Sequence, residues 1–270
     1  MLSTVRAPAV AGRFYPLEPA ILANEVRNHL SQPQETAPAI GCVAPHAGYM
    51  YSGHVAGAVF SRVQVPHRCL ILCPNHTGKG TPLSIMSRGK WQTPLGIVPV
   101  DSELGEALKS SFPPLTEDSE AHRSEHGVEV ELPFLQALQP NLTFVPIALG
   151  TGQFEVLESL GKAIAEVVAT QPDKVLLIAS SDMNHYEPDA ITRVKDSKAI
   201  EKILNLDARG LFDVVHKERI SMCGFGPTVS MLTAARLLGA TSGDLVRYAT
   251  SGDVSGDRQM VVGYAGVIVR

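Results

Sequence analysis

Histidine and carboxylate side chains recur in this sequence just after apolar runs that end in a turn. His46 and His76 each follow such a run and a proline, and Asp182 and His185 follow a third run. Histidines of a hydrophobic core have no reason to prefer strand exits, whereas open α/β sheets bind ligands at the carboxyl ends of their strands. The pattern therefore predicts that these side chains meet at one cleft.

Cys223 lies in the segment Ser-Met-Cys-Gly-Phe-Gly-Pro, outside the apolar runs. The other cysteines lie within strand-like runs and are expected to be small buried side chains: Cys42, Cys69 and Cys73. Imidazole together with a thiolate or carboxylate suits zinc, iron or copper better than magnesium or calcium. Two histidines with Cys223 would leave a coordination position open for water or a substrate. Asp182 and His185 could then orient the ligand imidazoles or transfer protons.

Glu125 and His126 directly precede a predicted helix that carries Glu129 on its first turn. The helix dipole stabilises carboxylates near a helix start, so part of this motif needs no functional explanation. A structural and a functional role both remain open for Glu125 and His126, and we retain them as candidate acid–base residues.

Short apolar runs alternate with segments of helical periodicity, which predicts a sheet covered by helices. The predicted strands span residues 39–44, 69–73, 143–149, 174–179, 244–250 and 261–269, with weaker signals at 83–86 and 97–100. The predicted helices span residues 21–30, 53–62, 102–110, 128–138, 154–169, 189–204, 207–215 and 228–238. Trp91 and Pro94 favour a hairpin between the weaker strands, so we expect a mixed, mostly parallel sheet. Ser52, and Asp101 or Ser102, are candidate helix caps.

Composition places the chain among ordinary globular proteins and excludes several classes. No linker interrupts the pattern, so residues 1–270 are predicted to form one α/β domain. The 23 basic and 27 acidic residues give a formal charge of −4, which disfavours nucleic acid as a partner. The apolar runs are shorter than the roughly 20 residues of a membrane-spanning helix. The first eleven residues lack the order of a secretory signal, and we expect a cytoplasmic protein without membrane association.

Several ordered motifs together resemble the Memo (mediator of cell motility) family, whose bacterial and archaeal members are called AmmeMemoRadiSam system protein B. The motifs are VRAPAVAGRFYP from residue 5, APHAGY from 44, PNHTG from 74, EHGVE from 125, SSDMNHY from 180 and MCG from 222. They extend over essentially the whole chain, which makes the resemblance specific.

The resemblance implies a fold similar to that of class III extradiol dioxygenases, which hold non-haem iron(II) with two histidines and a glutamate at one end of the sheet. It implies metal ligands at His46, His76 and Cys223, with Asp182 and His185 lining the same pocket. Cys223 stands where the dioxygenases have a carboxylate, so ring cleavage does not follow from the shared architecture. Iron or copper is the expected metal, and zinc is an alternative. The family name further implies functional association with a radical SAM enzyme and an AMMECR1-like protein.

Three functions are compatible with this reading of the sequence. The first is a metal-dependent redox or oxygen-using enzyme, and the second is a non-catalytic module that binds a peptide or partner in the same cleft. The third is a metal-dependent hydrolase, in which Glu125 or Asp182 acts as general base toward a metal-bound water.

Overall fold

The apolar runs of the sequence form most of the strands. In the computed structural model, which describes residues 5–30 and 35–270, the strands are β1 (Val5–Arg6), β2 (Gly41–Ala44), β3 (Arg68–Pro74), β4 (Leu83–Ile85), β5 (Lys90–Thr93), β6 (Gly96–Pro99), β7 (Thr116–Glu117), β8 (Thr143–Leu149), β9 (Val175–Ser180), β10 (His185–Glu187), β11 (Gly243–Thr250) and β12 (Val261–Val269). Residues 1–4 and 31–34 of the predicted domain lie outside the described residues. Residues 1–4 also belong to the first eleven residues, on which the expectation about a secretory signal rests.

The larger sheet has a parallel centre and antiparallel edges. Strands β2, β9, β3 and β8 lie side by side in this order and run parallel. On one side β12 pairs antiparallel with β2, β10 and β11. On the other side β4 pairs antiparallel with β8 and parallel with β7. A small second sheet contains β1, β5 and β6. The hairpin predicted between residues 83–86 and 97–100 is wrong, because β6 pairs antiparallel with β5, while β4 pairs with β8 and β7 in the larger sheet.

Helices cover both faces of the larger sheet. They are α1 (Pro19–Leu30), α2 (Tyr49–Phe60), α3 (Ser102–Ser111), α4 (Glu120–Arg123), α5 (Leu132–Leu138), α6 (Phe154–Ala169), α7 (Asp189–Leu204), α8 (Ala208–Lys217), α9 (Phe225–Leu237) and α10 (Gly252–Ser255), with a 3-10 turn at Glu129–Glu131. Helices α1, α2 and α5 pack on one face, and α3, α6, α7, α8 and α9 on the other. Strands that are buried on both faces need apolar residues at every position, which is why they appear in the sequence as unbroken apolar runs. The predicted fold class, α/β with a mixed sheet flanked by helices, is confirmed.

Most helix bounds lie within about three residues of the predicted ones, and those of α6 and α7 agree at both ends. Helix α2, however, begins at Tyr49, four residues before the predicted start. Ser52 therefore lies inside the helix, where its hydroxyl donates to the carbonyl of Ala47 at 3.0 Å, and its assignment as a cap is wrong. Asp101 caps α3, because its carboxylate accepts the backbone N–H of Leu104 at 3.0 Å.

Within residues 5–30 and 35–270, no helix has both the length and the apolar character needed to cross a membrane.

Candidate metal centre

Parallel strands end together at the edge of the sheet that carries the candidate residues. His46, His76 and Asp182 each lie two residues beyond the ends of β2, β3 and β9, and β9 lies between the other two strands. Cys223 approaches the same edge from the turn before α9. One ligand atom from each of His46, His76 and Cys223 lies within 4.8 Å of the other two. The fold thus brings together three potential ligands that are far apart in the sequence.

His46 is almost completely buried, and hydrogen bonds fix both its backbone and its ring. Its backbone N–H donates to Asp182 Oδ1 at 2.8 Å, and Nδ1 lies 2.8 Å from Ser180 Oγ. Nε2 lies 3.2 Å from Cys223 Sγ. Burial, followed by the charge of His76, lowers the pKa of His46 to about 3. The ring is therefore neutral near pH 7 and can offer a lone pair to a metal.

Cys223 is half-buried, and its sulfur contacts polar groups on one side. The backbone N–H of Asp182 donates to Sγ at 3.3 Å. Burial, with the negative charge of Asp182 as a second cause, raises the pKa of the Cys223 thiol. Burial also raises the pKa of Asp182 itself. The sulfur therefore needs a nearby cation to become a thiolate, and a coordinated metal is such a cation.

Glu125 holds the second histidine of the centre. Its carboxylate accepts the backbone N–H of His76 at 2.7 Å and Nδ1–H of the same residue at 2.8 Å. It also accepts the backbone N–H groups of His126 and Gly127, at 2.8 and 2.9 Å. Burial alone would raise the pKa of Glu125, but the hydrogen bond from His76, the nearby histidine charges and the N–H of Gly127 lower it to about 2. The ionised Glu125 thus fixes the proton of His76 at Nδ1 and leaves Nε2 free.

His126 and His185 flank His46 and His76. The ring of His126 stacks on that of His76, with centroids 4.5 Å apart, and meets that of His46 edge-on at 5.3 Å. Burial, followed by the charge of His46, lowers the pKa of His126 to about 4. His185 is half-buried and donates Nδ1–H to the carbonyl of Ser221 at 2.8 Å, which leaves its Nε2 free. The charge of His185 lowers the pKa of His46 and that of Asp182.

A second set of possible ligand atoms shares His76 with the first. His76, Glu125 and His126 also offer atoms within 4.8 Å of one another. The carboxylate of Glu125, however, already accepts several N–H groups, one of them from the ring of His76. A metal in this second set would have to displace those hydrogen bonds. A metal held by His46, His76 and Cys223 would replace the contact between His46 Nε2 and Cys223 Sγ but leave the hydrogen bonds of Glu125 intact, and these nitrogen and sulfur donors fit a transition metal.

We did not predict from the sequence that the amino-terminal segment positions the site. Glu129, expected only as a dipole-favoured carboxylate, is fully buried and forms an ion pair with Arg6. It also accepts the hydroxyl of Tyr15 at 2.6 Å and the backbone N–H groups of Ala9 and Val10 at 2.8 and 3.0 Å. These bonds anchor the amino-terminal segment to the turn that carries Glu125 and His126. The signal was an arginine and a tyrosine within one apolar motif, but their partner is more than 100 residues away.

Ser180 and Glu131 were also missed. Ser180 is the last residue of β9 and contacts His46, while Glu131 is buried beside Ser180. A glutamate among the apolar residues 128–135 was the available signal, because a carboxylate in such a segment must find a partner when it is buried.

The chain is similar to known proteins along nearly its whole length. Residues 6–268 match the family of Memo-like proteins. A MEMO1 family protein of Methanosarcina barkeri is 44% identical over 267 residues, which cover 98% of this chain and 100% of the relative. One from Methanothermobacter thermautotrophicus is 41% identical over 274 residues, 97% of this chain and 99% of the relative. The crystal structure of an uncharacterized protein from Escherichia coli K12 has a similar fold, with a TM-score of 0.57 and 13% identity, over 85% of this chain and 99% of the other. The chain therefore belongs to the Memo family.

Proposed function

We propose that this protein binds a transition metal through His46, His76 and Cys223. The observation that carries the proposal is the convergence of three ligand atoms from separate segments within 4.8 Å. The position of the lone pair on His76 supports it further, because Glu125 accepts the Nδ1–H of His76 and leaves Nε2 for the metal.

The donor set favours iron or copper. Thiolate and imidazole are borderline-soft ligands, whereas magnesium and calcium prefer oxygen. Zinc accepts the same donors, and we expect it to compete. Three protein ligands leave a position for water or a small substrate, and a bound iron or copper supplies redox chemistry there. We therefore propose an oxidoreductase-type site in preference to a passive binding module.

The remaining polar residues are proposed to hold and move protons beside the metal. The Nδ1–H of His185 donates to the carbonyl of Ser221, so Nε2 of His185 is proposed to accept or return a proton. The carboxyl of Asp182 accepts the backbone N–H of His46, and the backbone N–H of Asp182 donates to Cys223 Sγ, so Asp182 is proposed to keep both ligands in place. Glu125 is proposed to orient His76, since its oxygens are already used by N–H groups. This use of Glu125 leaves only Asp182 as general base for the hydrolase alternative.

Metal analysis of the purified protein tests the proposal. Protein prepared without oxygen is analysed for iron, copper and zinc, and metal-free protein is titrated with cobalt(II), whose thiolate complexes absorb strongly. We expect wild type to bind about one metal per chain. His46→Ala, His76→Ala and Cys223→Ser should each lose it, and Cys223→Ser should also lose the thiolate absorption.

A matched control is His67→Ala, because His67 is a half-exposed histidine that faces Asp173 at 3.6 Å. It should bind metal as wild type does. Wild type that takes up no iron, copper, cobalt or zinc would contradict the proposal and favour a partner-binding module. Metal that stays bound in all three ligand variants would place it elsewhere.

A further inference from the structure

The hydroxyl of Ser180 contacts three polar partners in a fully buried position. Its oxygen lies 2.6 Å from the carbonyl oxygen of Gly127, 3.0 Å from Glu131 Oε1 and 2.8 Å from His46 Nδ1. The exposed fractions of Ser180 and Glu131 are 0%, and that of His46 is 1%. Since each of these groups is removed from water, each needs its hydrogen bond within the protein.

The donors and acceptors of this cluster can be arranged in only one fully satisfied way. A serine hydroxyl has one proton to donate and two lone pairs that accept. A backbone carbonyl can only accept, so the hydroxyl of Ser180 donates to the carbonyl of Gly127 at the short distance of 2.6 Å. Glu131 and His46 must then both donate to the oxygen of Ser180.

This arrangement requires Glu131 to be a neutral carboxylic acid. An ionised carboxylate cannot donate, and it would set two acceptors against a single serine proton. Among the ion pairs formed by residues 5–30 and 35–270, none involves Glu131, so no cation balances a negative charge there. Burial, the largest cause, raises the pKa of Glu131 well above its ordinary value. The second oxygen of Glu131 has no partner, a smaller cost for a neutral acid than for a charged one.

The same arrangement requires the proton of His46 to be on Nδ1. Its Nε2 then carries a lone pair, and this atom faces Cys223 Sγ at 3.2 Å. In the metal-free protein the thiol of Cys223 can donate to that lone pair. A bound metal would take this lone pair in place of the thiol proton.

We infer that Ser180 is a positioning residue that fixes His46 as the Nδ1–H tautomer, and that a neutral Glu131 holds Ser180 in the orientation that does so. The two ligand histidines are thus oriented by different chemistry. An ionised Glu125 accepts the Nδ1–H of His76, while the uncharged hydroxyl of Ser180, held by a neutral Glu131, accepts the Nδ1–H of His46. The tautomer follows from contacts within the chain alone, and only its use in metal binding rests on the proposed function.

Nitrogen-15 NMR of the histidine rings in metal-free protein tests the tautomer. Wild type should show His46 with a protonated Nδ1 and a bare Nε2. Ser180→Ala removes the acceptor and should give a mixture of tautomers with a roughly 10- to 100-fold weaker affinity for cobalt(II). Ser180→Cys, which keeps the size but bonds weakly, should lie between the two. Ser230→Ala is the matched control, since it removes a buried hydroxyl that donates to Leu157 at 2.9 Å, and it should leave His46 unchanged.

The state of Glu131 is tested by infrared difference spectroscopy of wild type against Glu131→Gln at pH 8. Wild type should show the carbonyl band of a protonated acid that the variant lacks. Because the glutamine amide can still donate to Ser180, Glu131→Gln should keep His46 as the Nδ1–H tautomer. Glu131→Leu cannot donate and should give a mixture of tautomers.

A protonated Nε2 in wild-type His46, or only carboxylate bands for Glu131, would overturn the inference. These readings need no metal, so they are separate from a failure of the proposed function. If wild type bound no metal but showed the expected tautomer and acid band, the proposed function would fail and the positioning role would stand.

Discussion

At the scale of single residues, the replacement of Glu125 tests how the proposed ligand His76 is held. Glu125→Gln replaces the charged acceptor of His76 Nδ1–H with an amide, whose NH₂ group must face one of the N–H donors. We expect the affinity for cobalt(II) or zinc to fall by about 10- to 100-fold, as for other outer partners of metal-bound histidines. Competition against a coloured chelator measures this change.

Glu155→Gln is the control for that change, because Glu155 is an exposed glutamate in the first turn of α6. It should leave the affinity as in wild type. An equal affinity in Glu125→Gln and wild type would mean that His76 is not oriented by this carboxylate.

The sequence identified the residues that stand at turns but not those that support them. His46, His76, Asp182 and Cys223 each follow or precede a recognisable strand or helix, and a polar residue at such a point is conspicuous. Ser180 is different, because serine is common and its role arises only when Gly127, Glu131 and His46 surround it. No local pattern encodes a contact between three distant segments.

At the scale of elements, the same distinction separates the strands that were predicted from those that were not. Strands β8 and β12 form where the apolar runs predicted them, because burial on both faces dictates their composition. Strand β10 has only three residues, none of them fully buried, and it forms through its pairing with β12. The early start of α2 likewise depends on the backbone N–H of Tyr49, which donates to Phe14 at 2.7 Å.

The attachment of the amino-terminal segment predicts a large effect from a single buried charge. Arg6→Met removes the partner of Glu129 and leaves a carboxylate that is inaccessible to water. We expect the free energy of unfolding to fall by about 3–5 kcal/mol, as measured when one member of a buried ion pair is removed. Urea denaturation reports the change.

The double variant Arg6→Met/Glu129→Gln removes the stranded charge and should recover part of the loss. Arg13→Met, at an exposed arginine of the same segment, should change the stability by less than about 0.5 kcal/mol. A loss for Arg6→Met as small as that of Arg13→Met would show that the ion pair does not anchor the segment.

Helix α7 carries a buried acid that makes stability depend on pH. Asp196 accepts the hydroxyl of Tyr248 at 2.7 Å and the backbone N–H of Asn184 at 2.9 Å. Burial raises the pKa of Asp196 from 3.8 to about 7. Above pH 4 the unfolded chain releases this proton more readily than the folded protein, so stability is lost as pH rises from about 4 to about 7 and then levels off.

Asp196→Asn mimics the protonated acid and should remove this part of the pH dependence. At pH 5 we expect the free energy of unfolding of Asp196→Asn to be close to that of wild type. At pH 8 we expect it to exceed that of wild type by up to a few kcal/mol. Chemical denaturation at the two pH values measures the difference. If the variant and wild type differed by the same free energy of unfolding at pH 5 and at pH 8, Asp196 would not titrate in this range.

At the scale of the whole molecule, the proposed ligands make metal binding depend on the complete fold. His46, His76 and Cys223 come from three segments that only the assembled sheet brings within 4.8 Å of one another. A ligand that binds the folded state alone stabilises it by about 2.7 kcal/mol at a free concentration of 100 Kd. Because about 1 kcal/mol shifts the Tm of a chain near this size by roughly 2–4 °C, zinc or cobalt(II) at that concentration should raise the Tm by roughly 5–10 °C.

Thermal unfolding with increasing metal therefore connects the site to the fold. The shift should grow with metal concentration in wild type and in His67→Ala, and it should disappear in Cys223→Ser, because the loss of one of three ligands removes most of the affinity. Metal bound by cysteines of the unfolded chain would reduce the shift, but it would do so in every variant that keeps Cys42, Cys69 and Cys73. An equal shift in wild type and Cys223→Ser would thus mean that the stabilising metal binds outside the strand-end site.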